Sequence, residues 1–241
     1  MLSNSLVTFN EVMRWFNDLL NLFFPKVCQA CGQSLLEQEK VMCFSCLYKL
    51  PKTSYHLHDE NPVSRVFWGR ADIYAASSFL FFSKGGKVQH LIHSLKYKGQ
   101  QETGVYLGKL FGLDLLQSDL FKDVDLVVPV PLHPKKQNER GFNQSDCIAE
   151  GLGEAMNIPV VVDNLVRKVH TSSQTKKSRN SRWDNVKDVF ALLDPAAFEN
   201  KHILLVDDVL TTGATLESCA QTLLKIPGTK VNVATLAYAQ V

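Results

Sequence analysis

The stretch HILLVDDVLTTGAT, His202 to Thr215, decides the fold. The four apolar residues Ile203 to Val206 predict a short buried strand of the kind parallel sheets use. Two carboxylates, Asp207 and Asp208, stand where that strand is expected to end. Small residues follow (Thr211, Thr212, Gly213, Ala214, Thr215), and a helical pattern begins at Leu216. A strand feeding a helix N-terminus through small residues is an anion site, because free N–H groups and the positive end of the helix dipole converge there. The carboxylates add acceptors for a vicinal diol, as an acidic residue does for ribose in dinucleotide sites. Diol plus phosphate describes a ribose 5-phosphate. The plainer alternative is a buried strand followed by two solvated Asp residues and an ordinary helix cap.

VDDVLTTGAT resembles the loop that binds PRPP (5-phosphoribosyl 1-diphosphate) in type I phosphoribosyltransferases. That resemblance implies an α/β fold, a doubly wound parallel sheet, and the rest of the chain is consistent with it. Asp125 to Val130 (DLVVPV) is a second apolar strand, followed by Pro131 to Gln144, PLHPKKQNERGFNQ, read as a loop. Ala71 to Phe82 reads as a strand with a Lys84-Gly85-Gly86 turn. Lys87 to Lys98, Glu102 to Leu116 and Asn143 to Met156 carry helical spacing, and Gly99 offers a C-cap. Ligands of such sheets bind outside the carboxyl ends of the strands, which sets the loop after Val130 beside the one after Val206. There His133, Lys135, Lys136 and Arg140 supply positive charge, and Asn143 and Gln144 open a helix. A solvated basic loop is the alternative.

The six cysteines divide in two. Cys147 and Cys219 lie alone on predicted helices, as buried core thiols do. Cys28, Cys31, Cys43 and Cys46 form two CxxC pairs separated by eleven residues. That spacing is the signature of a four-thiolate zinc site, with Gly32 easing the first turn, and a redox pair is the rival reading. Four protein ligands leave no open position, so the zinc would be structural.

Charge is nearly balanced, 26 basic against 24 acidic residues, so no polyelectrolyte partner is implied for the chain as a whole, and local basic patches stay open. No run of about twenty apolar residues offers a membrane span. Val12, Trp15, Phe16, Leu19, Leu20 and Phe23 make an amphipathic helix of the N-terminal segment, without the marks of a signal peptide, and a cytoplasmic location is expected. The expected division is an amphipathic helix over 1–27, a zinc ribbon over 28–50, a connection over 51–70 and a phosphoribosyltransferase-like domain over 71–241.

Together these features resemble the ComF family, a zinc ribbon joined to a phosphoribosyltransferase domain. The resemblance rests on the four cysteines, LKYKG at Leu95 to Gly99, and PLH…RGFNQ at Pro131 to Gln144. It extends to a loop pattern at Arg167, Gln174, Arg182, Asn185 and Phe190 that is also similar to glutamine amidophosphoribosyltransferases. Lys136 stands where the family often has Arg, which keeps charge and loses bidentate geometry. Thr211 stands where purine-salvage enzymes carry an Asp that handles a proton of the base, so purine salvage is disfavoured. Orotate-type enzymes carry a similar Thr.

The resemblance implies PRPP bound with Mg²⁺, and a part in natural transformation, the uptake of DNA. Asp207 and Asp208 would hold the ribose, and Thr211, Thr212, Gly213, Ala214 and Thr215 the 5′-phosphate. Lys136, Arg140, Arg167 and Arg182 would face the diphosphate as catalytic cations, and His133, Asn143, Gln144 and Gln174 would complete the PRPP site. Residues Thr171 to Asn180 would close over it. Two other classes stay open: a sensor that binds PRPP or a nucleotide without transfer, and a single-stranded DNA-binding accessory of the uptake machinery. In the latter, Phe44, Tyr48, Tyr97 and Trp183 would stack bases.

Overall fold

A computed structural model describes residues 25–97, 99–168 and 189–239. The N-terminal amphipathic segment up to Phe23, Thr171 to Asn180, Gln174, Arg182, Trp183 and Asn185 lie outside them. The chain divides into two compact units, Met1–Leu50 and Pro51–Val241. No helix among the described residues is long and apolar enough to cross a membrane.

In the first unit, two turns bring four sulfurs together. Gly32 adopts φ 77°, a left-handed conformation that glycine takes without a Cβ penalty, and its N–H donates to the Cys28 carbonyl at 2.8 Å. The second knuckle opens helix α1, Phe44–Tyr48. Glu39, buried, braces both: its carboxylate accepts from the Leu36 N–H at 2.8 Å and the Phe44 N–H at 2.6 Å.

The second unit begins with a 3₁₀ turn, Tyr55–Leu57, and helix α2, Pro62–Arg65. This part of 51–70, read from its prolines as a connection, is itself packed. Asn61 caps α2 through the Val63 and Ser64 N–H groups and donates to the Ala76 carbonyl at 2.9 Å, while Val63 and Phe67 enter the core. Strand β1, Ala75–Phe82, and helices α3, Lys87–Tyr97, and α4, Gln101–Leu115, follow. Then come β2, Leu126–Pro129, α5, Pro134–Arg140, and α6, Gln144–Met156. A hairpin of β3, Leu165–Arg167, and β4, Phe190–Leu192, leads to β5, His202–Leu210, α7, Ala214–Leu223, and β6, Lys230–Ala239.

The main sheet has the order β1-β6-β5-β2, and all three pairings are parallel. This is the doubly wound sheet the alternating pattern predicts. One face buries Leu126, Val128, Ile203, Leu205, Val231 and Val233 together with Leu216, Cys219 and Leu223 of α7. Beside the sheet, α4 and α6 pack backbone to backbone. A Cβ on Gly108 would lie 2.3 Å from the Ile148 carbonyl, so the helices meet more closely than any side chain permits. That contact fixes where α6 begins, and α6 begins at the site.

Two expectations change. Strand β5 does not end at Val206 but runs to Leu210, because β6 continues beside it with Asp207 opposite Thr235 and Leu210 opposite Tyr238. The segment Pro131 to Gln144 is not all loop. Pro134 sits at the first turn of α5, His133 Nδ1 caps it by accepting the Lys135 N–H at 3.1 Å, and Gly141 ends it.

Candidate functional site

The last residue of β2, Pro129, lies opposite Val206 of β5, so the segment that follows β2 meets the part of β5 that runs on past Val206. From β5 come Asp207 and Asp208. Asp207 Oδ1 accepts from the Ser145 hydroxyl at 3.0 Å and from the Asp208 N–H at 2.8 Å. Burial, then the charge of Asp208, pushes the Asp207 carboxyl up to about 7 despite those two donors. Asp208 Oδ2 holds the Lys96 ammonium at 2.8 Å in a pair 22% and 13% exposed on its two side chains.

Beyond Leu210 the chain turns through Thr211 and Thr212, and Gly213 takes φ 74° as α7 starts. Asp207 and residues Val209 to Leu216 line a cradle of about 50 Å³. The first N–H groups of α7 have no carbonyl within their own helix and face this turn. Arg70 braces it from outside, donating to the Thr212 carbonyl at 2.9 Å and pairing with Glu217.

From β2 comes the basic side. Lys136 and Arg140 of α5 line a cavity of about 470 Å³ with Lys96, Tyr97, Gly99 and Glu139. The Arg140 guanidinium lies 5.5 Å from the Tyr97 ring centroid and donates to Gln144 Oε1 at 2.5 Å. Gln144 is buried and donates onward to the Phe142 carbonyl, so it orients Arg140. Asn143, also buried, donates to the Val130 carbonyl at 3.0 Å and to Asp146 at 2.6 Å, and caps α6. Its amide is engaged inside the protein and ties the end of β2 to α6.

Arg167 sits on the β3–β4 hairpin over the Phe190 ring and lines a cavity of about 160 Å³ with Pro131, Leu132, Asp146 and Asp163. Asp146 is pushed up to about 6, by burial and then by Asp163, against the Asn143 hydrogen bond. Burial raises the Cys219 thiol well above its ordinary value; the Asp207 charge adds to this and Arg167 opposes it. Cys147 is likewise buried and pushed up to about 11. Both are core thiols, as their isolation predicts.

Lys96 is the residue that sequence reasoning passed over. LKYKG marked the segment, but nothing local shows that its first lysine reaches Asp208.

In the first unit, the Sγ atoms of Cys28, Cys31, Cys43 and Cys46 all lie within 4.8 Å of one another, with Cys31 and Cys43 at 3.9 Å. Tetrahedral thiolate–zinc bonds of about 2.3 Å give sulfur–sulfur edges of roughly 3.8 Å, so this set can hold a metal such as zinc. Burial opposes ionisation of Cys28, but N–H donors from Cys43, Cys31 and Ala30 prevail and bring it down to about 7, as a thiolate ligand requires.

A sequence profile described as phosphoribosyl transferase domain matches residues 141–240. With the parallel sheet, this places the second unit in the class of type I phosphoribosyltransferase domains. The chain is 29% identical to DNA utilization protein YhgH of Escherichia coli over 215 residues, 86% of this chain and 88% of that protein. It is 33% identical to competence protein F of Haemophilus influenzae over 154 residues, 62% of this chain and 67% of that one. With competence protein ComFC of Bacillus subtilis it shares 26% over 211 residues, 79% of this chain and 81% of that protein. The chain belongs to the ComF family.

Proposed function

We propose that this protein binds PRPP with Mg²⁺ at the carboxyl end of its sheet and acts as a phosphoribosyltransferase in the handling of imported DNA. The observation that carries the reading is the meeting of three groups at one sheet end. They are the Asp207–Asp208 pair, the 211–215 turn feeding α7, and the basic cavity of Lys96, Lys136 and Arg140. Their order matches one ligand, with diol, 5′-phosphate and diphosphate each meeting complementary chemistry. Asp207 and Asp208 accept the ribose hydroxyls. The turn and the helix N-terminus donate to the 5′-phosphate. Lys136 and Arg140 face the diphosphate, and Arg167 approaches from the hairpin. As the C1′–oxygen bond breaks, negative charge grows on the departing diphosphate, and cations fixed beforehand stabilise it without reorganising. Mg²⁺, when bound with PRPP, neutralises part of the same charge. The competence and DNA-utilization names of the relatives support a place in DNA uptake.

The test is calorimetry with PRPP and Mg²⁺ on the wild type and on the Asp207→Asn, Asp208→Asn double variant. The amides keep hydrogen bonds but lose charge-assisted contacts worth about 1.5–3 kcal/mol each. A hundredfold or greater loss in a variant that still folds is expected. Unchanged affinity refutes the reading.

A second reading has its own observation. Phe44 and Tyr48, one helical turn apart on α1, are 56% and 91% exposed, where a mini-core would have buried them. Exposed aromatics beside Lys40 and Lys49 suit stacking on single-stranded DNA, and a steep fall of binding with salt is its signature.

A further inference from the structure

Lys96 stands between the two halves of the site. Its ammonium is 2.8 Å from Asp208 Oδ2, and its side chain lines the basic cavity with Lys136 and Arg140. The pair is largely sheltered, so breaking it without compensation leaves a poorly solvated charge on each side. An ammonium on a four-carbon stem is the group best suited to turn from one anion to another, because its three donors carry no fixed fork geometry.

We infer that Lys96 is an exchange cation that makes the site selective for a diphosphorylated ribose over a monophosphorylated one. Without ligand it neutralises Asp208. A diol approaching Asp208 competes with it, and the competition is favourable only if the ammonium finds another anion within reach. The diphosphate of PRPP, held among Lys136 and Arg140, is that anion. Ribose 5-phosphate offers the same diol and the same 5′-phosphate but nothing in the basic cavity, so it must displace Lys96 with no replacement. A ligand shifts such an equilibrium only by its differential contacts with the two states, and here the diphosphate makes them. Tyr97 keeps the receiving cavity formed, since its ring carries the Arg140 guanidinium. The inference rests on the reading of Asp207 and Asp208 as the ribose side of the site.

The experiment titrates PRPP and ribose 5-phosphate, each with Mg²⁺, into the full chain, wild type and Lys96→Gln. PRPP is expected to bind the variant at least tenfold more weakly and ribose 5-phosphate no more weakly than the wild type, so their ratio contracts tenfold or more. A ratio that stays constant, including equal weakening of both ligands, overturns the exchange and leaves Lys96 a merely structural partner of Asp208. Lys96→Met, which keeps the stem, carries the same two-sided expectation if the first variant does not fold. On the wild type, the ¹⁵Nζ resonance of Lys96 should move when PRPP binds, because the ammonium leaves Asp208, and a resonance unmoved at saturating PRPP also overturns the inference. A wild type that binds neither ligand refutes the underlying site, a distinct outcome.

Discussion

The Ser145 hydroxyl donates to Asp207 Oδ1 at 3.0 Å, joining the first turn of α6 to β5. The bond stabilises the ionised carboxylate, as does the Asp208 N–H, and both work against the burial that holds this group at about 7. Ser145→Ala should therefore raise the Asp207 pKa further. If the ribose diol needs a carboxylate, PRPP affinity rises with pH through the Asp207 transition. In the variant that midpoint should move alkaline by about one unit, the size of a lost hydrogen bond to charge. Calorimetry between about pH 6 and pH 9 checks it; an unmoved midpoint means Asp207 does not govern binding.

The same carboxyl costs stability. It titrates near 3.8 when unfolded and about 7 when folded. As pH rises, the unfolded chain releases this proton first, so the contribution of Asp207 to stability falls between about pH 4 and pH 7 and stays low above. Asp207→Asn keeps an acceptor for Ser145 and Asp208 and removes the charge. It should be more stable than the wild type near pH 8, by an amount on the order of 1–3 kcal/mol, with the gain gone near pH 4. Thermal melts at the two pH values decide. A variant less stable at pH 8 would show that Asp207 is held for the fold and not for a ligand.

Much of this was legible because the local signals were strong. Ile203 to Val206 and Asp125 to Val130 are apolar runs too short for helices, and both are strands of the parallel sheet. What escaped was set by partners distant in sequence. The extension of β5 depends on β6, and two adjacent carboxylates read locally as an end. Helix α5, PKKQNER, has no apolar stripe, so periodicity is silent, and the signals it did carry were Pro134 and Gly141 at its ends. Asn143 and Gln144 were read as ligand groups from their place beside the site. Their burial, which sends their amides into α6 and Arg140, is a tertiary fact.

The four sulfurs of the first unit make a separate prediction. The protein as isolated should carry one zinc per chain, and Cys43→Ser should lose it. The Cys43 backbone carbonyl accepts the Cys46 and Leu47 N–H groups that form the second knuckle, and serine keeps it, so the variant removes the sulfur alone. Binding energy at such a site is folding energy, so residues 25–50 should lose amide protection while the sheet keeps it. Elemental analysis and hydrogen exchange read the two effects. A metal-free wild type with its thiols paired as disulfides refutes the assignment.

The 211–215 turn can be tested from its back. Gly213 holds φ 74°, and a Cβ there would stand 2.7 Å from Val66 Cγ1 and 3.3 Å from Phe67 Cε1. Phe67 is 1% exposed and anchored in the core, so it cannot yield to an added methyl. Gly213→Ala thus meets two costs, about 1–2 kcal/mol for the left-handed backbone and a further term for the overlap with Val66. For a domain of this size each kcal/mol lowers the melting temperature by about 2–4 °C. The double variant Gly213→Ala, Val66→Ala relieves the overlap but not the backbone term. It should show less than the sum of the two single losses, and PRPP affinity should stay low in both glycine variants because the turn has moved. Strict additivity would mean that Val66 and Gly213 do not meet, and wild-type affinity in Gly213→Ala would separate the turn from the phosphate.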